Sequence, residues 1–81
     1  MRSDDLLNYV RDVPFRPFRI TMNSGRTYDI RHPEMIRVGR TSANVFLPRP
    51  GDPPDAPYDR FDMVSLVLIE RVEHIEAPAA A

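Results

Sequence analysis

Few residues in this chain offer a start for chemistry. The reactive side chains are His32 and His74, four serines, and twelve carboxylates set against eleven arginines, with no lysine and no cysteine. The missing cysteine removes disulfides, thiolate metal sites and a thiol nucleophile together. His74 stands among Glu70, Glu73 and Glu76, but neither the spacing nor the order is that of a metal site, and a solvated acidic edge is the simpler reading. His32 precedes Pro33 and Glu34. As a general base it would need a nucleophile and an oxyanion site, and no spacing supplies them, so its expected role is a hydrogen bond that orders a turn. Ser3, Ser24, Ser42 and Ser65 carry no nucleophile signature, and three glycines make no phosphate loop. The sequence reads as non-enzymatic, with no metal and no cofactor.

Binding chemistry has better material. In Phe15-Arg16-Pro17-Phe18-Arg19, aromatic rings alternate with guanidinium groups, which suits stacking on single-stranded bases while phosphates are held. The structural account of the same string has Phe15 and Phe18 anchoring an N-terminal helix, with Arg16 and Arg19 turned to solvent. Arg26, Arg31, Arg37 and Arg40 lie in or beside the second and third strands, and alternation places Arg31, next to His32, and Arg37 on the solvent face, where they can form a basic stripe. Cross-strand pairing with Asp29, Glu34 or the acidic second half of the chain competes with that stripe. The net charge of −1 gives no general attraction to nucleic acid. Charge is uneven along the chain: residues 1–47 hold eight arginines against five acids, and residues 48–81 hold three against seven. Such halves neutralise each other within one fold or meet between subunits.

These side chains need a scaffold. Ser3 as N-cap, Asp4 and Asp5 in the first turn, and the stripe Leu6, Leu7, Val10 predict a helix over about residues 3–12, ended by Pro14. From Phe18 the period becomes two. Phe18, Ile20 and Met22 alternate with polar residues, Asn23-Ser24-Gly25 turns the chain, and Tyr28 and Ile30 continue the buried face. His32-Pro33-Glu34 interrupts, then Ile36 and Val38 make a third strand and Val45 and Leu47 a fourth, with Phe46 on the opposite face. The segment 48–60 is rich in proline and aspartate, cannot join a ladder, and reads as an extended spacer, although it contains two P-x-x-P spacings. Asp62 to Ile69 is an almost continuous apolar run that suits a fifth strand buried on both faces; over residues 70–76 the spacing of Leu68, Val72 and Ile75 fits a helix and that of Val72 and Ile75 a bent strand, and strand is the reading taken. The fold class expected is mainly β: a small, five-stranded, strongly bent sheet or barrel with a short N-terminal helix. One domain spans 1–76, with strands over about 18–75, and 77–81 form a disordered tail.

The order of helix, alternating strand, Asn23-Ser24-Gly25-Arg26 turn and four further strands resembles the Sm-like barrel and, more loosely, SH3-like small barrels. The string Pro14-Phe15-Arg16-Pro17-Phe18, Gly25-Arg26, His32-Pro33-Glu34 and a closing Ser65-Leu66 to Ile69 run resembles a group of small uncharacterised bacterial proteins, over about Val13 to Glu76. The first likeness implies a barrel and, by extension, RNA binding. The loops that hold RNA in Sm-like proteins correspond here to Arg31-His32-Pro33-Glu34 and the proline-rich segment. Neither contains the Asp-aromatic-x-Asn pattern or the Arg-Gly pair, so the likeness carries the fold more directly than the ligand.

At 81 residues and without disulfides, a core this small gains from self-association. The expected function is a protein-interaction module acting as a homo-oligomer or on another protein. The alternative is an Sm-like RNA binder, with Phe15, Arg16, Arg19, Arg31, His32 and Arg37 as the contact residues under either reading. Met1 to Asp5 lacks a basic stretch followed by an apolar one, and Met63 to Ile69 is too short to span a bilayer. A cytoplasmic protein without a membrane partner is expected.

Overall fold

The computed structural model describes residues 1–53 and 55–75; Glu76 and the expected tail 77–81 lie outside the described residues. The chain is mainly β, with one short helix and two three-stranded antiparallel sheets. The helix α1 spans Ser3–Val10 and buries Leu6 completely, with Leu7 and Val10 half-buried along the same stripe. It begins without the expected serine cap. Arg2 is the N-cap residue, its extended carbonyl accepting from the Asp5 and Leu6 amides at 3.1 and 3.3 Å, and Ser3 is already helical. The helix stops at Val10, short of residue 12, where the Arg11 amide closes the last turn on the Leu7 carbonyl.

Strands β1 (Phe18–Met22) and β2 (Thr27–Ile30) form the expected hairpin. Its turn needs Gly25, whose φ of +93° lies in the left-handed region that a side chain disfavours. Phe18 pairs with Ile30 and Ile20 with Tyr28, so all four side chains enter the core on one face. The second sheet comprises β3 (Ile36–Val38), β4 (Ser42–Leu47) and β5 (Arg60–Ser65), in that order. Its inward residues are Ile36, Ala43, Val45 and Val64. Strand β6 (Ile69–His74) returns to the first sheet and pairs with β1 on the side away from β2, which settles residues 70–74 as strand.

The last apolar run departs from expectation. A single strand over 62–69, buried on both faces, would complete a five-stranded sheet, but the run breaks at Ser65 and yields six strands in two sheets. The reason is that β5 lies at a sheet edge with only one face in the core, so Met63 points outward, 71% exposed, while Val64 and Leu66 point in. A 3-10 turn, Leu66–Leu68, then carries the chain across to the first sheet. The Leu66 amide donates to the Thr41 carbonyl at 2.9 Å, and the Leu68 carbonyl accepts from the Asn23 amide at 2.8 Å. Each bond reaches the turn of a different hairpin, so this crossover fastens both sheets, and Leu66, only 2% exposed, fills the space between them. A second 3-10 turn, Pro33–Met35, links β2 to β3.

Truncating Leu66 removes both buried volume and the filler of the crossover. Leu66→Ala is expected to lower unfolding free energy by about 2–5 kcal/mol in a single denaturant transition, whereas Met63→Ala on the outer face changes it by about 0.5 kcal/mol or less.

Candidate functional site

The sequence-derived contact residues divide among three places. Phe15 is half-buried and packs on Phe18 with ring centroids 6.0 Å apart, so it anchors the segment after the helix, while Arg16 next to it is exposed. Arg19 and Arg31 converge on one carboxylate. The β1–β2 register places Arg19 directly opposite Asp29, and its guanidinium donates to both carboxylate oxygens, at 2.7 and 3.2 Å. Arg31 approaches the same carboxylate less closely, at 3.6 Å. Hydrogen bonding from Arg19, reinforced by the charges of both arginines and opposed by partial burial, holds the Asp29 carboxyl below its ordinary range. The same bond raises the Arg19 guanidinium above its ordinary value. Arg37 stands apart on β3, in a groove of about 500 Å³ lined by Leu7, Val10, Ile36 and Phe46 with Glu34 beside it. Arg31 follows the last residue of β2 in the first sheet, and Arg37 belongs to β3 in the second.

His32 is exposed, and it orders its turn through the main chain. Its carbonyl accepts from the Met35 amide at 3.0 Å, and no side-chain capping bond is made. Strand β6 is an edge and Glu70 and Glu73 on it are exposed, while His74 is half-buried. Its ring lies 5.1 Å from Tyr9, and Nδ1 is 3.4 Å from the Pro17 carbonyl, so it helps seat the helix on the sheet. Among the described residues no three His, Asp or Glu side chains gather to hold a metal ion, and no helix is long and apolar enough to cross a membrane.

Two features escaped the reading of the sequence. The proline-rich segment is turned and not extended. It folds back over the end of β4 and encloses an open cleft of about 340 Å³ with Arg31, His32 and Met35 on the far side. Turns closed by the Asp52 and Ala56 amides on the Arg49 and Pro53 carbonyls, each at 3.0 Å, shape the loop, and Arg49 pairs with Asp59 at its base. Burial and the charge of Glu34 push the Tyr58 phenol up from its ordinary value. The second feature is the outer face of the second sheet, where Phe61 and Met63 are 56% and 71% exposed and the Phe61 ring lies 5.7 Å from Phe46. Strict alternation from Val64 outward is the signal that places Met63 and Phe61 there.

The inward side of β5 carries a charge. Asp62 points toward the core edge, accepts a 2.8 Å hydrogen bond from the Tyr28 hydroxyl and pairs with Arg26 at 2.8 Å. Desolvation first, then the bond to Asp62, raises the Tyr28 phenol from its ordinary value. Arg26 also lies over the Tyr28 ring, 5.2 Å from its centroid. Strands β2 and β5, on different sheets, are thereby joined by a polar clasp.

No protein-family model, curated protein or solved structure matches the chain.

A lowered carboxylate pKa in the fold means that the Arg19–Asp29 pair contributes stability above the unfolded value near 3.8 and loses it as pH falls through the folded value. Asp29→Asn is expected to reduce the urea midpoint at neutral pH and flatten the acid limb of a midpoint-against-pH series. Tyr28→Phe leaves Asp62 with Arg26 alone and is expected to cost about 1–2 kcal/mol in the same assay. A raised phenol pKa has the opposite sign, so the native chain loses stability as pH rises through the ordinary tyrosine range, and Tyr28→Phe weakens that alkaline limb.

Proposed function

We propose that this chain is a non-enzymatic interaction module that associates with a second copy of itself through β5 and the outer face it shares with β4. The carrying observation is the exposed apolar pair Phe61 and Met63 on an edge strand, continued by Phe46 on β4. Apolar side chains clustered at an edge with unpaired backbone groups favour removal from water. Phe46, Phe61 and Met63 are themselves uncharged, with Arg37 and Glu34 beside Phe46, so the complementary surface is mainly apolar, and a two-fold axis supplies it from an identical chain. The returning strand β6, the short helix and the 3-10 crossover support reading the fold as a relative of Sm-like and SH3-like small barrels, with its strands divided between two sheets.

The RNA-binding alternative draws less support. It needs Phe15 to offer a ring face and Arg19 to offer a free guanidinium group, whereas Phe15 packs on Phe18 and Arg19 engages both oxygens of Asp29.

Light scattering over a concentration series is expected to show reversible association of the native chain. Phe61→Lys with Met63→Lys is expected to abolish it while shifting stability by about 1 kcal/mol or less, since both side chains are exposed. A native chain that stays monomeric throughout rejects the proposal. RNA retained on filters at low salt, and lost in Arg16→Ala with Arg19→Ala, selects the alternative instead.

A further inference from the structure

The cleft under the proline-rich loop has a chemistry of its own. Its interior is apolar, formed by Met35, Leu47, Pro48 and Tyr58, and its volume of about 340 Å³ lies at the lower end of the range for small-ligand sites, about 300–1,000 Å³. Its polar lining carries charge of both signs. On one side Arg31 is 56% exposed and makes only the 3.6 Å approach to Asp29, because Arg19 already engages both oxygens of that carboxylate. From the loop side comes Asp52. Its Oδ2 accepts from the Arg49 amide at 3.2 Å, and it makes no ion pair among the described residues.

We propose that this cleft binds a small zwitterion with an apolar side chain, the chemistry of a free apolar α-amino acid. Arg31 takes the carboxylate, Asp52 takes the ammonium group, and Met35, Leu47 and Tyr58 cover the side chain. Charge bookkeeping favours this class over phosphates. With Asp29 matched by Arg19, the lining holds one cation and one anion, which suits a molecule of zero net charge and repels a dianion through Asp52. Apolar burial supplies affinity, and the two charges, each already partly held in place, supply orientation.

Titration of the isotope-labelled full chain with L-leucine, followed by amide NMR, is expected to give saturable shifts centred on His32, Leu47 and Tyr58. Leucinamide lacks the carboxylate and N-acetyl-leucine lacks the ammonium group, and each is expected to bind about tenfold more weakly or worse. Arg31→Gln removes the handicap of leucinamide. Asp52→Asn, whose amide oxygen still accepts from the Arg49 amide, removes that of N-acetyl-leucine. The Phe61→Lys, Met63→Lys chain binds L-leucine unchanged, which separates this site from the association face. Absence of saturable shifts in the millimolar range, shifts centred elsewhere, or equal binding of the three molecules by the native chain overturns the proposal. If a variant loses its native amide dispersion, the comparison of the three molecules on the native chain decides alone.

Discussion

The fold depends on the 3-10 crossover at Leu66–Leu68. Each three-stranded sheet presents an apolar face that must be covered by another layer, and a chain without cysteine has no disulfide to hold the two together. The crossover joins them by two means at once. Its side chain Leu66 lies in the same apolar cluster as Phe18 and Ile20 from one sheet and Val45 from the other, and its backbone is bonded to one hairpin turn of each sheet. Buried backbone groups at a sheet junction are costly when unpaired. Here the groups that leave the ladders are taken up by the turns they pass.

Charge in this protein is arranged by the same two-sheet geometry. Asp29 is satisfied across a strand pair within the first sheet, and Asp62 across the gap between sheets, where Tyr28 and Arg26 reach it from β2 and its turn. The acidic second half of the chain therefore answers the basic first half within one subunit at this clasp. The exposed surface includes an apolar outer face and a cleft with mixed charge at its lining. A nearly neutral protein of this size thus offers two surfaces of different chemistry, neither of which requires a catalytic group.

Much of this was legible in the residues. The stripe Leu6, Leu7, Val10, the alternation from Phe18 to Ile30 and the turn at Gly25 each state a local rule that the structure obeys. The misreadings have physical causes. Met63, Val67 and Leu68 are apolar yet exposed, so composition alone made the run from Asp62 to Ile69 look buried on both faces and hid its break at Ser65. Helix α1 starts on a backbone carbonyl of Arg2, which leaves no side-chain signature. The cleft is invisible locally, because Arg31 and Met35 meet Pro48 and Tyr58 only after β4 has carried the chain back. His74 likewise finds Pro17 and Tyr9 across most of the sequence. Long-range pairing decides such contacts, and short-range patterns do not encode it.

The return of β6 to β1 sets an order of events during synthesis. Strand β1 precedes the other five described strands in the chain, yet one of its two edges stays open until β6, the last of them, arrives to pair with it. Every intervening element must be made first. Closing so long a loop carries an entropic cost that local hairpins avoid, and it slows folding. Until β6 pairs, the helix and the hairpins leave apolar faces uncovered. Arg19 on β1, Arg26 and Arg31 on either side of β2, and the prolines of the long loop supply charge and missing amide donors that disfavour pairing of an uncovered edge with neighbouring chains.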